Sequence, residues 1–229
     1  MRRVLVVDDE PSIRTVLRGY LEADGFAVVE APDGEAALAA LRAGPPDLVL
    51  LDVMLPGVDG LEVLRQLRTF SDVYVILVTA KTEEIDKLVG LGVGADDYVT
   101  KPFSPREVTA RVKAVLRRDR GSRVAEESVH RFAGLSVDLP GREATVDGVV
   151  VTLSSLEFDL LAAFISAPGR VFSRAQLLER VWGHDFYGDE RVVDVHIRNL
   201  RARLGDDAGD PHLIATVRGA GYKFVGRPR

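Results

Sequence analysis

Residues 3 to about 118 alternate short apolar runs with amphipathic segments, and that alternation restricts the fold more than any other feature of the chain. "RVLVVDD", "FAVVEA", "DLVLLDVML", "VYVILVTA" and "DDYVTKP" read as five strands. "PSIRTVLRGYLEADG", "GEAALAALRAG", "GLEVLRQLRTF", "KTEEIDKLVGLG" and "SPREVTARVKAVLRR" read as five helices between and after them. Strict strand–helix alternation predicts an α/β fold, a doubly wound five-stranded parallel sheet with helices on both faces. Chemistry in such sheets gathers at the carboxyl ends of the strands.

The grammar changes after that point. "RRDRGSRVAEES" is hydrophilic and reads as a linker, so the expected division is residues 1–118, a linker at 119–129, and residues 130–229. "FAGLSVDLPGREATVDGVVVTLS" alternates, with Pro-Gly and Asp-Gly turns, and predicts antiparallel strands. Three helical segments follow, and "LIATVRGAGYKFV" closes the chain as two short strands around a Gly-rich turn. This is the pattern of a small α+β domain.

The chain has no cysteine, which removes disulfides and thiolate metal sites. "MRRVLVVDDEPS" interrupts its apolar start with acids almost at once, unlike a secretory leader, and no run is long enough to span a membrane. A cytoplasmic protein is expected. The glycines of "GLGVGAD" lack the strand-before, helix-after setting of a dinucleotide site, and no GxxxxGK[ST] phosphate loop occurs. Net charge is −5, yet it is unevenly spread: residues 191–229 carry 8 Lys+Arg against 4 Asp+Glu. A polyanionic partner fits that last segment alone.

Asp52 lies inside "DLVLLDVMLP", a run whose apolar character marks a strand buried on both faces. A carboxylate there needs a partner or a purpose. The first strand ends in Asp8-Asp9-Glu10, and strands one and three are neighbours in the common doubly wound order. Their carboxylates should therefore converge, an unfavourable crowding unless a cation joins them. With only oxygen ligands at hand, Mg²⁺ is favoured over zinc. The fourth strand ends at Thr79, and the fifth at Lys101-Pro102, where the proline can take a cis peptide bond. Carboxylate, hard cation, hydroxyl and ammonium together suit a phosphoryl group: Asp52 as nucleophile, Thr79 and Lys101 gripping the transferred oxygens. A phosphatase working through an aspartyl phosphate would want a second acid two residues past the nucleophile, and here that residue is Met54. The pocket can take a phosphoryl group and lacks an efficient way to discharge it.

On a helical wheel, "RVVDVHIRNLRARL" places Val193, Ile197, Leu200 and Leu204 on an apolar stripe. Arg191, Asp194, Val195, Arg198, Arg201 and Ala202 fall opposite. Such a face suits a helix in a DNA major groove, with arginines on guanine and Val195 against a thymine methyl. Arg218, at a turn bounded by Gly219 and Gly221, suits a minor groove. His196 falls on the apolar side, as a packed core residue would.

"VLVVDDE", "DLVLLDVMLPGVDGLEVL", "VTA" and "GADDYVTKPF" together resemble the receiver domain of two-component response regulators over residues 1–118. "LSSLEFDLLAAF", "GRVFSRAQLLERVWG", "RVVDVHIRNLRARLG" and "IATVRGAGYKF" resemble the winged-helix effector domain of OmpR/PhoB-type transcription regulators over about 130–226. The resemblance implies that Asp52 accepts a phosphoryl group from a sensor histidine kinase. Asp9, Asp52 and the Met54 backbone carbonyl would hold Mg²⁺, with Asp8 acting through water. Thr79 and Tyr98 would be the switch pair and Lys101 the phosphate-binding lysine. Arg191, Val195, Arg198 and Arg201 would lie in or beside the major groove of promoter DNA, Arg174 and Thr216 on phosphates, and Arg218 in the minor groove. Asn199 stands where some relatives carry another arginine. The loop at 183–190 would be where the family can touch RNA polymerase. A homodimer would pair Lys87 with Glu107, Asp97 with Arg111 and Asp96 with Arg118, all taken as surface charges. The implied whole is a DNA-binding regulator controlled by phosphorylation, not a dedicated enzyme. The competing class binds DNA without phosphate control, its acidic pocket merely structural.

Overall fold

The computed structural model describes residues 1–79, 92–117, 129–183 and 190–229. They form two compact units, Met1–Leu116 and Arg117–Arg229. The linker stretch 118–128, most of the expected helix at 81–92, and with them Lys87 and Arg118, lie outside the described residues.

In the first unit β1 (Arg3–Val7), α1 (Pro11–Ala23), β2 (Ala27–Ala31), α2 (Gly34–Ala43), β3 (Leu48–Asp52) and α3 (Gly60–Leu67) are followed by β4 (Tyr74–Thr79), β5 (Asp97–Thr100) and α4 (Pro105–Arg117). The sheet runs β2-β1-β3-β4-β5, all parallel, which is the order the alternation implies. Side chains alternate across it. Val4, Val6, Leu48, Leu50 and Ile76 cluster with Leu17 and Leu21 of α1 and Val108, Val112 and Val115 of α4. Leu5, Val7, Val49 and Leu51 are equally buried and take the other face, where α2 and α3 bury Leu38, Leu41, Val63 and Leu64. Burial on both faces is why these strands carry almost no polar residue before their last position.

The helix starts are set locally. Asp33 and Asp59 accept from the backbone N–H groups of Ala36 and Glu62, and Pro11 opens α1, where an N–H would go unused. Gly60 opens α3 against the end of β3. A Cβ at this position would lie 2.0 Å from the Asp52 carbonyl oxygen, so only glycine lets the helix seat against the end of this strand.

The second unit begins with an antiparallel meander, β6 (Val129–Phe132), β7 (Leu135–Asp138), β8 (Glu143–Val146) and β9 (Val149–Val151). Asp147 and Gly148, both at positive φ, make the two-residue hairpin turn that Asp-Gly favours. Then come α5 (Ser155–Ile165), β10 (Val171–Phe172), α6 (Arg174–Trp182), α7 (Arg191–Leu204), β11 (Ile214–Val217) and β12 (Gly221–Phe224). β10-β12-β11 form a second sheet whose β11–β12 hairpin is the wing. Capping boxes, Ser154 with Glu157 and Ser173 with Gln176, start α5 and α6, and Gly205 ends α7 in the left-handed conformation. Phe164, Phe172, Trp182 and Phe224 are fully buried in its core. His196 is buried there as well, its ring 5.5 Å from that of Trp182, as its place on the apolar stripe implies.

Candidate functional site: an acidic pocket and a basic helix

Because β1 and β3 are adjacent and parallel, their ends deliver Asp8, Asp9 and Asp52 to one rim. One carboxylate oxygen from each lies within 4.8 Å of the others. Asp8 and Asp52 are buried, while Asp9 is exposed. Asp52 Oδ1 accepts from the Met54 N–H at 3.0 Å, and Asp52 Oδ2 accepts from Lys101 Nζ at 2.7 Å. The same ammonium donates to Asp8 Oδ2 at 2.8 Å, and Asp8 Oδ1 accepts from the Glu10 N–H. Lys101 arrives across the sheet at the end of β5, on a cis Lys101-Pro102 bond, and its N–H donates to the Thr79 carbonyl at 2.7 Å. Thr79 is buried at the end of β4, one residue past the rung that pairs Asp52 with Val78. Tyr98 is half-buried on β5, opposite Leu77.

Burial raises the Asp8 pKa, and hydrogen bonds from Lys101 and the Glu10 N–H offset only part of it. For Lys101 burial acts downward, yet hydrogen bonds and attraction from Asp52 and Asp8 outweigh it and leave the ammonium raised. The pocket thus holds one firmly protonated cation among three acids. All-oxygen donors at this spacing suit a hard divalent ion, which would share the work Lys101 does for Asp8 and Asp52.

Sequence reasoning missed Arg14. Its Nη1 donates to the carbonyls of Asp8 and Asp9, at 2.6 and 3.1 Å, and its Nε lies 3.4 Å from Glu30. The signal was an arginine in the first turn of α1, next to the acidic stretch.

In the second unit α7 exposes Arg191, Arg198 and Ala202 along one stripe, with Asp194 half-buried among them. Two residues placed on that face from the sequence do not belong to it. Val195 and Arg201 are only 6% and 8% exposed. Arg201 donates to the Ile214 carbonyl, by Nε at 3.0 Å and Nη2 at 2.6 Å, and to Thr216 Oγ1 at 2.9 Å. The wing covers this side of the helix, so the buried arc is wider than the four-residue stripe. Thr216 and Arg218 are exposed on the wing, Asn199 is half-buried, and Arg174 opens α6 partly exposed.

Asp96 and Asp97 are not the surface charges that their place in the sequence predicts. They are 0% and 1% exposed. Asp96 Oδ2 accepts from Arg68 Nη2 at 3.0 Å and from the Val75 N–H at 2.8 Å. Asp97 accepts from Arg111 at 3.0 Å, and Arg111 also pairs with Glu107 at 3.0 Å within the same chain. Strand-edge carboxylates beside arginines are drawn inward by the charge and backbone N–H groups they satisfy.

Tyr222 of β12 is held by the second unit's polar network. Burial, with a hydrogen bond to Asp194, pushes its pKa up to about 12 from the usual 10. A raised acid favours its neutral form in the folded state. The stabilisation is full below pH 10 and is lost as pH rises from 10 towards 12. Two pH units correspond to about 2–3 kcal/mol at most. Alkaline titration of phenolate absorbance should show Tyr222 ionising late. Tyr222→Phe should remove that step and flatten the alkaline loss of stability.

An acidic phosphoryl-type pocket in a doubly wound sheet, followed by a winged helix with an arginine-rich helix, defines a response regulator. Residues 4–113 match the family described as "Response regulator receiver domain", and residues 148–224 match "Transcriptional regulatory protein, C terminal". The chain is 46% identical to the sensory transduction protein RegX3 of Mycolicibacterium smegmatis, over 99% of this chain and 100% of that protein. It is also 46% identical to the DNA-binding response regulator MtrA of the same organism, over 97% and 96%. Among solved structures, the response regulator DrrB of Thermotoga maritima, an OmpR/PhoB homologue, matches with a TM-score of 0.53 at 34% identity, covering 99% of this chain and 100% of that one. The chain belongs to the OmpR/PhoB-type two-component response regulators. It is a DNA-binding transcription regulator rather than a classical enzyme, and its two domains imply DNA and a histidine kinase as partners. Among the described residues no helix is long and apolar enough to cross a membrane.

Proposed function

We propose that Asp52 is the phosphoryl acceptor and that its modification controls promoter binding in the cytoplasm. What supports this is the set of contacts around Lys101, whose single ammonium lies within 2.8 Å of both Asp8 and Asp52. A carboxylate so placed has its charge held at the carboxyl end of the sheet, by Lys101 on one oxygen and the Met54 N–H on the other. Attack by an Asp52 oxygen on the phosphorus of a kinase phosphohistidine forms the O–P bond as the P–N bond breaks, and the imidazole nitrogen leaves with the electron pair. Lys101 then transfers its hydrogen bond from Asp52 to a phosphoryl oxygen, and the Thr79 hydroxyl donates to another. Tyr98 follows Thr79 inward. Asp9, Asp52 and the Met54 carbonyl would hold Mg²⁺, with Asp8 acting through water, and the ion would supply charge neutralisation for a phosphoryl group. With no second acid at position 54 to activate water, the acyl phosphate decays slowly.

Modification would favour a homodimer through the β5–α4 face, where Asp97, Glu107 and Arg111 form one charged cluster. Two winged helices brought together gain from raised effective concentration on paired half-sites. Of the loop at 183–190, for which contact with RNA polymerase is the family expectation, residues 184–189 lie outside the described residues. Arg198 and Arg191 on the exposed stripe of α7 would read bases, and Arg174, Thr216 and Arg218 would flank them. A duplex recovered by the wild-type protein from a random pool provides the test. Binding should tighten after treatment with a small acyl phosphate and Mg²⁺. Arg198→Ala should weaken it by about 1–3 kcal/mol. Unchanged binding after phosphorylation would leave a DNA-binding protein without phosphate control. Unchanged binding by Arg198→Ala would remove that side chain from the interface.

A further inference from the structure

Asp194 and Tyr222 tie together the elements that carry the proposed DNA contacts. Asp194 Oδ1 accepts two short hydrogen bonds, from Arg174 Nε at 2.7 Å and from the Tyr222 hydroxyl at 2.6 Å. Arg174 Nη2 lies 3.4 Å from the same hydroxyl, and its guanidinium carbon is 5.3 Å from the Tyr222 ring centroid. Arg201 lies 5.7 Å from that centroid while it donates to Ile214 and Thr216 on β11. One carboxylate oxygen and one phenol therefore join the start of α6, the first turn of α7 and the returning strand of the wing.

The chemistry favours a supporting role over direct contact. A carboxylate facing a polyanion is repelled by phosphates, so the charge of Asp194 serves its own arginine. With Nε of Arg174 committed to Asp194, and Nη2 turned to Tyr222, the Nη1 side is left for a phosphate. Thr216 Oγ1 accepts from Arg201, so the hydrogen of its hydroxyl is directed elsewhere, as a donor. The wing is fixed in the same way. Arg218 sits in the turn between Val217 and Gly221, and Tyr222 pairs with Thr216 on the next rung. Gly221 can carry no side chain, because its Cβ would meet the Phe172 carbonyl at 2.0 Å. Tyr222 is thus the first side chain of β12 able to anchor the hairpin to the helices, and a small rotation there displaces the tip.

We propose that Asp194 and Tyr222 are a positioning pair that sets the wing against α7, so that Arg218 enters the minor groove while Arg198 reads the major groove. The inference rests on the DNA-binding reading above, and the experiment separates the two. Affinities for a duplex recovered by wild type from a random pool are measured for Tyr222→Phe, Arg218→Ala and the pair, with Asp194→Asn as an isosteric second route. Tyr222→Phe keeps the ring and should weaken binding about five- to tenfold. In that background Arg218→Ala should lose most of its own effect, and Arg198→Ala should keep all of it. Hydroxyl-radical protection of the minor groove at the wing should fade, and guanine N7 protection in the major groove should persist. A merely structural loss would weaken both grooves together. Wild-type binding by both Tyr222→Phe and Asp194→Asn, or effects of Tyr222→Phe and Arg218→Ala that simply multiply, would overturn the proposal. Recovery of no duplex at all would overturn the DNA reading instead.

Discussion

Asp52→Ala is expected to gain no mass when incubated with a small acyl phosphate and Mg²⁺, while wild type gains one phosphoryl group per chain. The prediction is strong because no neighbouring acid can stand in. Asp8, like Asp52, has both oxygens engaged, but burial raises its pKa and so disfavours the ionised form that a nucleophile needs. Asp9 is exposed, outside the cradle formed by Lys101 and the Met54 N–H around Asp52. The variant should also fold normally. Removing one of two buried carboxylates leaves Lys101 paired with Asp8 at 2.8 Å, so no buried charge loses its only partner. Intact-mass spectrometry reads the result directly. An equal mass gain in the variant would move the acceptor elsewhere and with it the whole account of control.

The receiver was legible because its signals are one-dimensional. Strand and helix alternation dictates a parallel sheet, neighbouring strands follow from the common winding order, and acids at strand ends then share a rim. The failures are all matters of what lies over a residue. A helical wheel reports direction around α7 and nothing about the wing that closes on Arg201 and the packing that encloses Val195. Asp96 and Asp97 look like surface charges in "GADDYVT", and only Arg68 and Arg111, 28 and 14 positions distant, reveal them as buried acceptors. Arg14 and the Asp194–Tyr222 contact share that character: each rests on a partner contributed by a different element. Local periodicity places a side chain, whereas its partners decide whether it is a contact or a support.

Trp182→Ala should separate the two units by experiment. The indole is fully buried at the end of α6 and packs on His196 of α7. Truncating a buried tryptophan costs about 3–5 kcal/mol, through lost burial and the cavity left behind. A domain of this size has only about 5–15 kcal/mol in total. Its melting temperature should therefore fall on the order of 15 °C or more. DNA binding should go with it at physiological temperature, since Arg198 is presented by α7. The first unit draws its core entirely from residues before Arg117, so its own transition should stay where it was. Calorimetry should show one transition displaced and the other fixed, and Asp52 in the same variant should still take a phosphoryl group. If phosphoryl uptake fell in parallel with DNA binding, the acidic pocket would depend on the second unit's core, and the two could not be treated as separately stable parts of one switch.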